Sequence, residues 1–205
     1  MLSELNIKDF LNQTASGSPV PGGGSVAALT GAVAAALSEM VANLTIGKKG
    51  YESLDEEMRI IAKAASVFRE KLARDIDRDS EAYNEVIAAF KLPKGNEEEK
   101  DARNQAIQNG LKRAATVPMG VAEDAFEIME LARKVVKNGN KNAVTDAAVA
   151  AMMARTAVLS ALYNVKINLK SIKDDEFVNE TGEQVKRMET EIDKKEKEVL
   201  SGVCL

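Results

Sequence analysis

Two long stretches of this chain carry almost no charge. Between residues 25 and 46 the only charged residue is Glu39, and between 143 and 165 only Asp146 and Arg155 interrupt the run. Both stretches are rich in alanine, the strongest helix former. A helix that is apolar nearly all round must be covered on every side, by other helices or by lipid. The first stretch mixes Thr30, Gly31, Ser38 and Asn43 into its alanines, which makes it weakly lipophilic beside a Leu/Ile-rich span. Burial within protein is therefore expected, with no membrane crossing. Small side chains also let neighbouring backbones approach closely, as a central helix requires. The predicted fold is all-α: a multihelical array of long helices around a buried Ala-rich central helix, in one domain over residues 1–205.

Composition supports this and removes several function classes. Four prolines and 4% aromatics argue against a β-sandwich or barrel. A net charge of −4 argues against a nucleic-acid binder, which would show a basic excess. The chain has no histidine, so no Ser-His-Asp or Cys-His nucleophile pair and no His-based zinc site can form. Acid–base chemistry is left to Asp, Glu, Lys, Tyr or water. The single cysteine, Cys204, excludes an intrachain disulfide. Met1-Leu2-Ser3-Glu4-Leu5 has neither the basic start nor the apolar core of a secretory signal, so the cytoplasm is the expected compartment.

Along the chain, Ser3 is expected to cap a short first helix carrying Leu5, Ile7, Phe10 and Leu11. The segment Thr14 to Ser25, with Pro19, Pro21 and three glycines, breaks it. Ser25 then opens the Ala-rich helix, predicted from Val26 to about Gly47. Further helices are predicted from about Glu52 to Lys91, and from about Glu97 to Lys137 with a kink or restart at Pro118. Gly139 is a C-cap candidate. The second uncharged helix follows over about Asn142 to Ile172, then a charged segment, Asp175 to Leu200, read as surface. Two apolar helices in so short a chain leave few amphipathic ones to cover them, and homo-oligomerisation would supply the cover.

Several features could carry chemistry. Pro21-Gly22-Gly23-Gly24-Ser25 leads straight into a helix, where unpaired N–H groups and the dipole suit an anion or polarised carbonyl. A tight entry turn with Ser25 as plain N-cap explains the run equally well. It lacks the Gly-Lys-Ser/Thr ending of a nucleotide P-loop. Asp79 falls on an apolar stripe of Leu72, Ile76, Tyr83, Val86, Ile87 and Phe90, where an unpaired carboxylate is costly. It is either functional, with Tyr83 one turn on, or half of an ion pair with Arg155. Asp75 and Asp77 lie off the stripe and read as solvated. Asp146 suits the first turn of the second uncharged helix, with Asn142 or Thr145 as cap. Asn164 and Asn168 lie four apart on that helix, as Glu39 and Asn43 do on the first. A pair of amides on one face could read a heterocycle or merely bridge helices. Polar groups on three helices suggest a converging pocket.

The blocks Pro21-Gly22-Gly23-Gly24-Ser25-Val26-Ala27-Ala28-Leu29, Met40-Val41-Ala42-Asn43-Leu44-Thr45, Asp79-Ser80-Glu81-Ala82-Tyr83, Leu92-Pro93-Lys94, Val117-Pro118, Asn142-Ala143-Val144-Thr145-Asp146-Ala147 and Asn164-Val165-Lys166-Ile167-Asn168-Leu169 run in order over nearly the whole chain. Together they resemble the cyclodeaminase/cyclohydrolase family of folate enzymes. That family includes stand-alone methenyltetrahydrofolate cyclohydrolases and the cyclodeaminase half of formimidoyltransferase-cyclodeaminase. Thr145 stands where serine is expected in many relatives, which keeps the hydroxyl. The transferase half has no counterpart, so formimino transfer would fall to a separate protein.

The resemblance implies an all-α fold, a dimeric building block and a tetrahydrofolate derivative as substrate, with no bound cofactor and no metal. It implies hydrolysis of 5,10-methenyltetrahydrofolate to the 10-formyl compound or, alternatively, loss of ammonia from the 5-formimino compound to give the methenyl one. A helical protein that binds folate without turnover, or merely oligomerises, is the third reading. Matching motifs gives Asp79 as general base or cation stabiliser with Tyr83 orienting it. Asp146 is a second carboxylate for the pterin's amino-pyrimidine edge or for proton transfer. Pro21, Gly22, Gly23, Gly24, Ser25, Asn43, Asn142 and Asn164 are the expected substrate contacts.

Overall fold

The computed structural model describes residues 1–204. Six α-helices make up the array: α1 (Ile7–Thr14), α2 (Gly23–Asn43), α3 (Asp55–Phe90), α4 (Glu97–Asn138), α5 (Val144–Leu169) and α6 (Asp175–Ser201). There is no β-strand among the described residues.

The central element is α2, packed against α3, α4 and α5. Ala27, Ala28, Ala34, Ala35, Val41 and Ala42 on it are fully buried. The closeness depends on side-chain size: a methyl group on Gly31 would meet Leu72 Cδ1 at 3.0 Å and Ala157 Cβ at 3.6 Å. The second uncharged stretch, α5, buries Ala147, Ala150, Ala151, Ala154, Val158, Leu162 and Val165 in the same core. Both helices have the length and apolarity to cross a membrane, and about half of each is buried against the other helices.

α2 and α5 run antiparallel. At one end Gly23 lies against Asn164. At the other, Asn140 donates from its backbone to Thr45 Oγ1 at 2.8 Å and from its side chain to the Leu44 carbonyl at 3.1 Å. This axial arrangement decides which polar residues meet.

The helix ends follow local chemistry. Asn96 and Asp174 cap α4 and α6 by accepting from the backbone of Glu99 and Phe177. Three acidic residues open each of α3 and α4, matching the helix dipole. Gly139 ends α4 as expected, and a Cβ there would lie 2.4 Å from the Val135 carbonyl oxygen and 2.9 Å from Val41.

Four expectations are corrected. The cap of α1 is Asn6, whose side chain accepts from Asp9 N, while Ser3 sits in a 3-10 turn, Leu2–Glu4, facing α3. α2 begins at Gly23, so Gly23, Gly24 and Ser25 are helical and the N-cap is Gly22. α4 does not restart at Pro118 but runs on as one helix, and the carbonyl that proline leaves unpaired finds another donor. α6 is amphipathic and not merely superficial: Thr181, Val185, Met188, Ile192 and Val199 are buried. Its charged face is tied down by Arg155 to Asp193 and Glu196, Lys166 to Glu189 and Lys195 to Glu130.

Candidate active site

Where the N-terminus of α2, the middle of α3 and the end of α5 meet, they enclose a cavity of about 320 Å³, within the range of small-molecule sites. Its lining includes Gly22, Gly23, Gly24, Asp79, Tyr83, Asn164 and Asn168, with Val20, Val86 and Ile167 as apolar walls.

Asp79 is the one carboxylate in that lining. Its carboxylate packs flat on the first turn of α2, and a Cβ on Gly24 would lie 2.0 Å from Oδ1. The glycine is required by this contact, since neither Gly22, Gly23 nor Gly24 has positive φ. Ser25 Oγ is 3.1 Å from Asp79 Oδ2, 2.8 Å from the Ile76 carbonyl and 3.2 Å from Ser80 Oγ. One hydroxyl proton serves one acceptor at a time, so its support of Asp79 is shared. Burial pushes the Asp79 carboxyl above its ordinary range, opposed by the hydroxyl and backbone amide of Ser25.

No cation pairs with Asp79 among the described residues, and Arg155 is engaged by α6. The ion-pair explanation of Asp79 is therefore overturned. Its neighbours on α3 behave differently from expectation. Asp75 and Asp77 are both buried. Asp75 pairs with Arg78 at 2.6 Å. Asp77 accepts from the backbone of Leu2 and Ser3 and from the Ser3 hydroxyl. Asp75 has a cationic partner that Asp79 lacks, and Asp77 is held by three donors of the N-terminal turn.

Of the residues expected at a site, the fold brings together Gly22, Gly23, Gly24, Asp79, Tyr83 and Asn164. Ser25 is fully buried behind Asp79, and Pro21 is buried beneath the loop, so both support the cavity without lining it. Asn43, Asn142 and Asp146 lie at the opposite ends of α2 and α5. Eighteen residues separate Asp146 from Asn164 along one helix, about 27 Å at the α-helical rise. Asn43 stands about 30 Å from Gly23 by the same measure. The cavity gains Asn168, Ile167 and Val20, none of them among the expected substrate contacts, although Ile167 and Asn168 stand in the last motif block.

Asn164 Nδ2 donates to the Ser160 carbonyl, and Asn168 Nδ2 donates to both Asn164 O and Ala114 O, all at 2.9 Å. Acceptors therefore dominate the side chains of the lining, and no Lys or Arg contributes. The first-turn amides of α2 add donors on one wall. Such a site suits a ligand with N–H donors, a delocalised positive charge and little anionic character. His, Cys, Asp and Glu form no metal-holding cluster among the described residues.

The chain is 40% identical over 180 residues to a methenyltetrahydrofolate cyclohydrolase of Methylorubrum extorquens, covering 88% of this chain and 86% of that one. It is 35% identical over 184 residues to the formimidoyltransferase-cyclodeaminase of Rattus norvegicus, matching 90% of this chain and 34% of the longer protein. The crystal structure of a formiminotetrahydrofolate cyclodeaminase from Thermotoga maritima superposes with a TM-score of 0.88 at 35% identity, over 99% of this chain and 98% of that one. With residues 6–187 matching its profile, the chain belongs to the formiminotransferase-cyclodeaminase family.

Proposed function

We propose that the protein is a methenyltetrahydrofolate cyclohydrolase of folate one-carbon metabolism, acting without a bound cofactor. The observation that carries this reading is Asp79: a half-buried carboxylate without a cationic partner, in a cavity of hydrogen-bond acceptors. The amidinium of 5,10-methenyltetrahydrofolate is a delocalised cation and complements that lining. A carboxyl raised above its ordinary range is also a stronger base than a surface aspartate.

In the reaction, Asp79 takes a proton from water as the oxygen bonds to the bridging carbon between N5 and N10. The resulting tetrahedral adduct is neutral at carbon. Asp79 then returns the proton to N5 as the carbon–N5 bond breaks, and the hydroxyl proton leaves to solvent as the C=O of the N10 formyl group forms, so one net proton is released. Tyr83 orients the carboxylate or the water, and the Gly23 and Gly24 amides face the developing oxygen. Asn164 binds the heterocycle, and Ser25 with Pro21 holds the loop behind it. Asn43, Asn142 and Asp146 receive no part in the cavity of their own chain.

The second reading is formimidoyltetrahydrofolate cyclodeaminase, an ammonia lyase, favoured by the close backbone likeness to the Thermotoga enzyme over the full chain. The same carboxylate would take the N10 proton as N10 attacks the formimino carbon, then pass it to departing ammonia. We further infer a soluble, cytoplasmic homodimer. Val26, Val33, Met40 and Leu44 form an exposed apolar strip along α2, and Val149, Met152, Tyr163 and Ile167 form another along α5, which a second copy would cover.

A near-ultraviolet assay tests the reading. Accelerated loss of the methenyl absorbance over spontaneous hydrolysis is the expected result. Appearance of that absorbance from the 5-formimino compound with ammonia release, and no accelerated hydrolysis, would establish the lyase instead. No rate above background with either compound would leave folate binding without turnover.

A further inference from the structure

Pro118 lies inside α4, where it supplies no N–H to the carbonyl of Ala114 four residues earlier. That carbonyl is taken by the side-chain amide of Asn168 at 2.9 Å, across from α5. The same nitrogen donates its second proton to Asn164 O, also at 2.9 Å. Both protons of the Asn168 amide are thus committed to main-chain oxygens. Turning the amide over would set its oxygen against two carbonyl oxygens, so the orientation is locked. The amide oxygen has no donor within the chain among the described residues, and Asn168 lines the cavity that holds Asp79.

We propose that Asn168 is a substrate-recognition residue whose amide oxygen, locked in place by the carbonyl that Pro118 frees, accepts a hydrogen bond from an N–H of the substrate's amino-pyrimidine ring. Pro118 is then a positioning residue acting through Ala114 and Asn168. The assignment rests on the folate reading above and deepens it. A tetrahydropterin offers two adjoining donors on its pyrimidine ring, the 2-amino group and N3–H, beside one carbonyl acceptor. The cavity answers with acceptors on α5 and donors at the start of α2. It also explains how a proline is tolerated at this point of α4: Asn168 satisfies the carbonyl left without a helical donor, and a residue with an N–H at 118 would share that oxygen and loosen its hold on Asn168.

The test is a binding cycle. The affinity of the folded protein for tetrahydrofolate is compared with that for two analogues, one lacking the 2-amino group and one methylated at N3. Wild type should bind at least one analogue about 10-fold more weakly, the size of one lost hydrogen bond. In Asn168→Ala that discrimination should shrink to near unity, with weaker binding of tetrahydrofolate itself. Asn168→Ala also leaves the Ala114 carbonyl without its donor, so Pro118→Ala serves as a second variant. It restores the helical bond, cannot orphan that carbonyl, and should retain or raise the melting temperature while losing several-fold in affinity and in discrimination.

If Asn168→Ala folds and discriminates as well as wild type, the assignment of Asn168 is overturned. Unchanged affinity and discrimination in Pro118→Ala would overturn the positioning role. Failure of wild type to bind tetrahydrofolate at all would instead sink the folate reading, and the Asn168 proposal with it.

Discussion

The Asp79 carboxylate rests on the bare Cα of Gly24, so close that a single methyl group there would sit 2.0 Å from Oδ1 and 2.4 Å from Cγ. A glycine at the start of one helix thus fixes where a carboxylate on another helix can lie. The contact links the glycine run to the chemistry without any unusual backbone conformation.

Gly24→Ala should therefore displace Asp79 and cut turnover at least 100-fold. Overpacking of this kind costs about 1–3 kcal/mol of stability. Gly23→Ala is a milder control, since its Cβ would meet Asn164 Nδ2 at 3.3 Å. Turnover and urea midpoints of the two variants check this, and equal losses would contradict the placement of Asp79.

Asp79→Asn keeps the shape and removes the base. Loss of general-base catalysis of this type lowers turnover by about 10²–10⁴-fold. Wild-type kcat/KM should rise with pH along a limb lying above the ordinary carboxylate value of 3.8. The limb should be absent from the residual activity of the variant. A wild-type profile flat across the acidic range would contradict the role of Asp79.

The same group makes a signed contribution to stability. Burial raises its folded pKa above the unfolded value of 3.8, so the native state holds the proton more tightly. Stability from this site is then greatest below the unfolded pKa and declines as pH rises through the raised one. Asp79→Asn lacks that decline. Its melting temperature should match or exceed wild type at neutral pH, with the advantage shrinking under acid conditions. A variant melting well below wild type at neutral pH would make Asp79 a structural residue.

Charge on the apolar strips should disperse the homodimer. Val33→Glu and Met152→Lys each place one charge on an exposed strip, where the monomer fold tolerates it. Sedimentation equilibrium should show monomers for the variants and a dimer for wild type. A monomeric wild type would overturn the inferred assembly.

How much of this was legible beforehand depends on whether the information is local. The two core helices declared themselves through missing charge, and Asp79 through its place on an apolar stripe. Axial overlap is not local: because α2 and α5 are antiparallel, the glycine run meets Asn164, while Asn43, Asn142 and Asp146 gather at the far end. The continuity of α4 through Pro118 was not legible because the donor that satisfies the freed carbonyl, Asn168, lies 54 residues away. Asp75 and Asp77 misled because polar residues off the apolar stripe were assumed to face water. On α3 that side is instead covered, at Asp77 by the first residues of the chain.

That cover has a practical consequence. Asp77 stands two residues before Asp79 and takes its hydrogen bonds from Leu2 and Ser3. An affinity tag fused ahead of Met1, or trimming of the first three residues, acts on the donors that satisfy this buried carboxylate. A handle placed there should loosen the hold of the first residues on α3, which the melting temperature of tagged and untagged protein would read. The other end is tied down differently, by Val199 and Val203 packing on the core, while Cys204 is exposed.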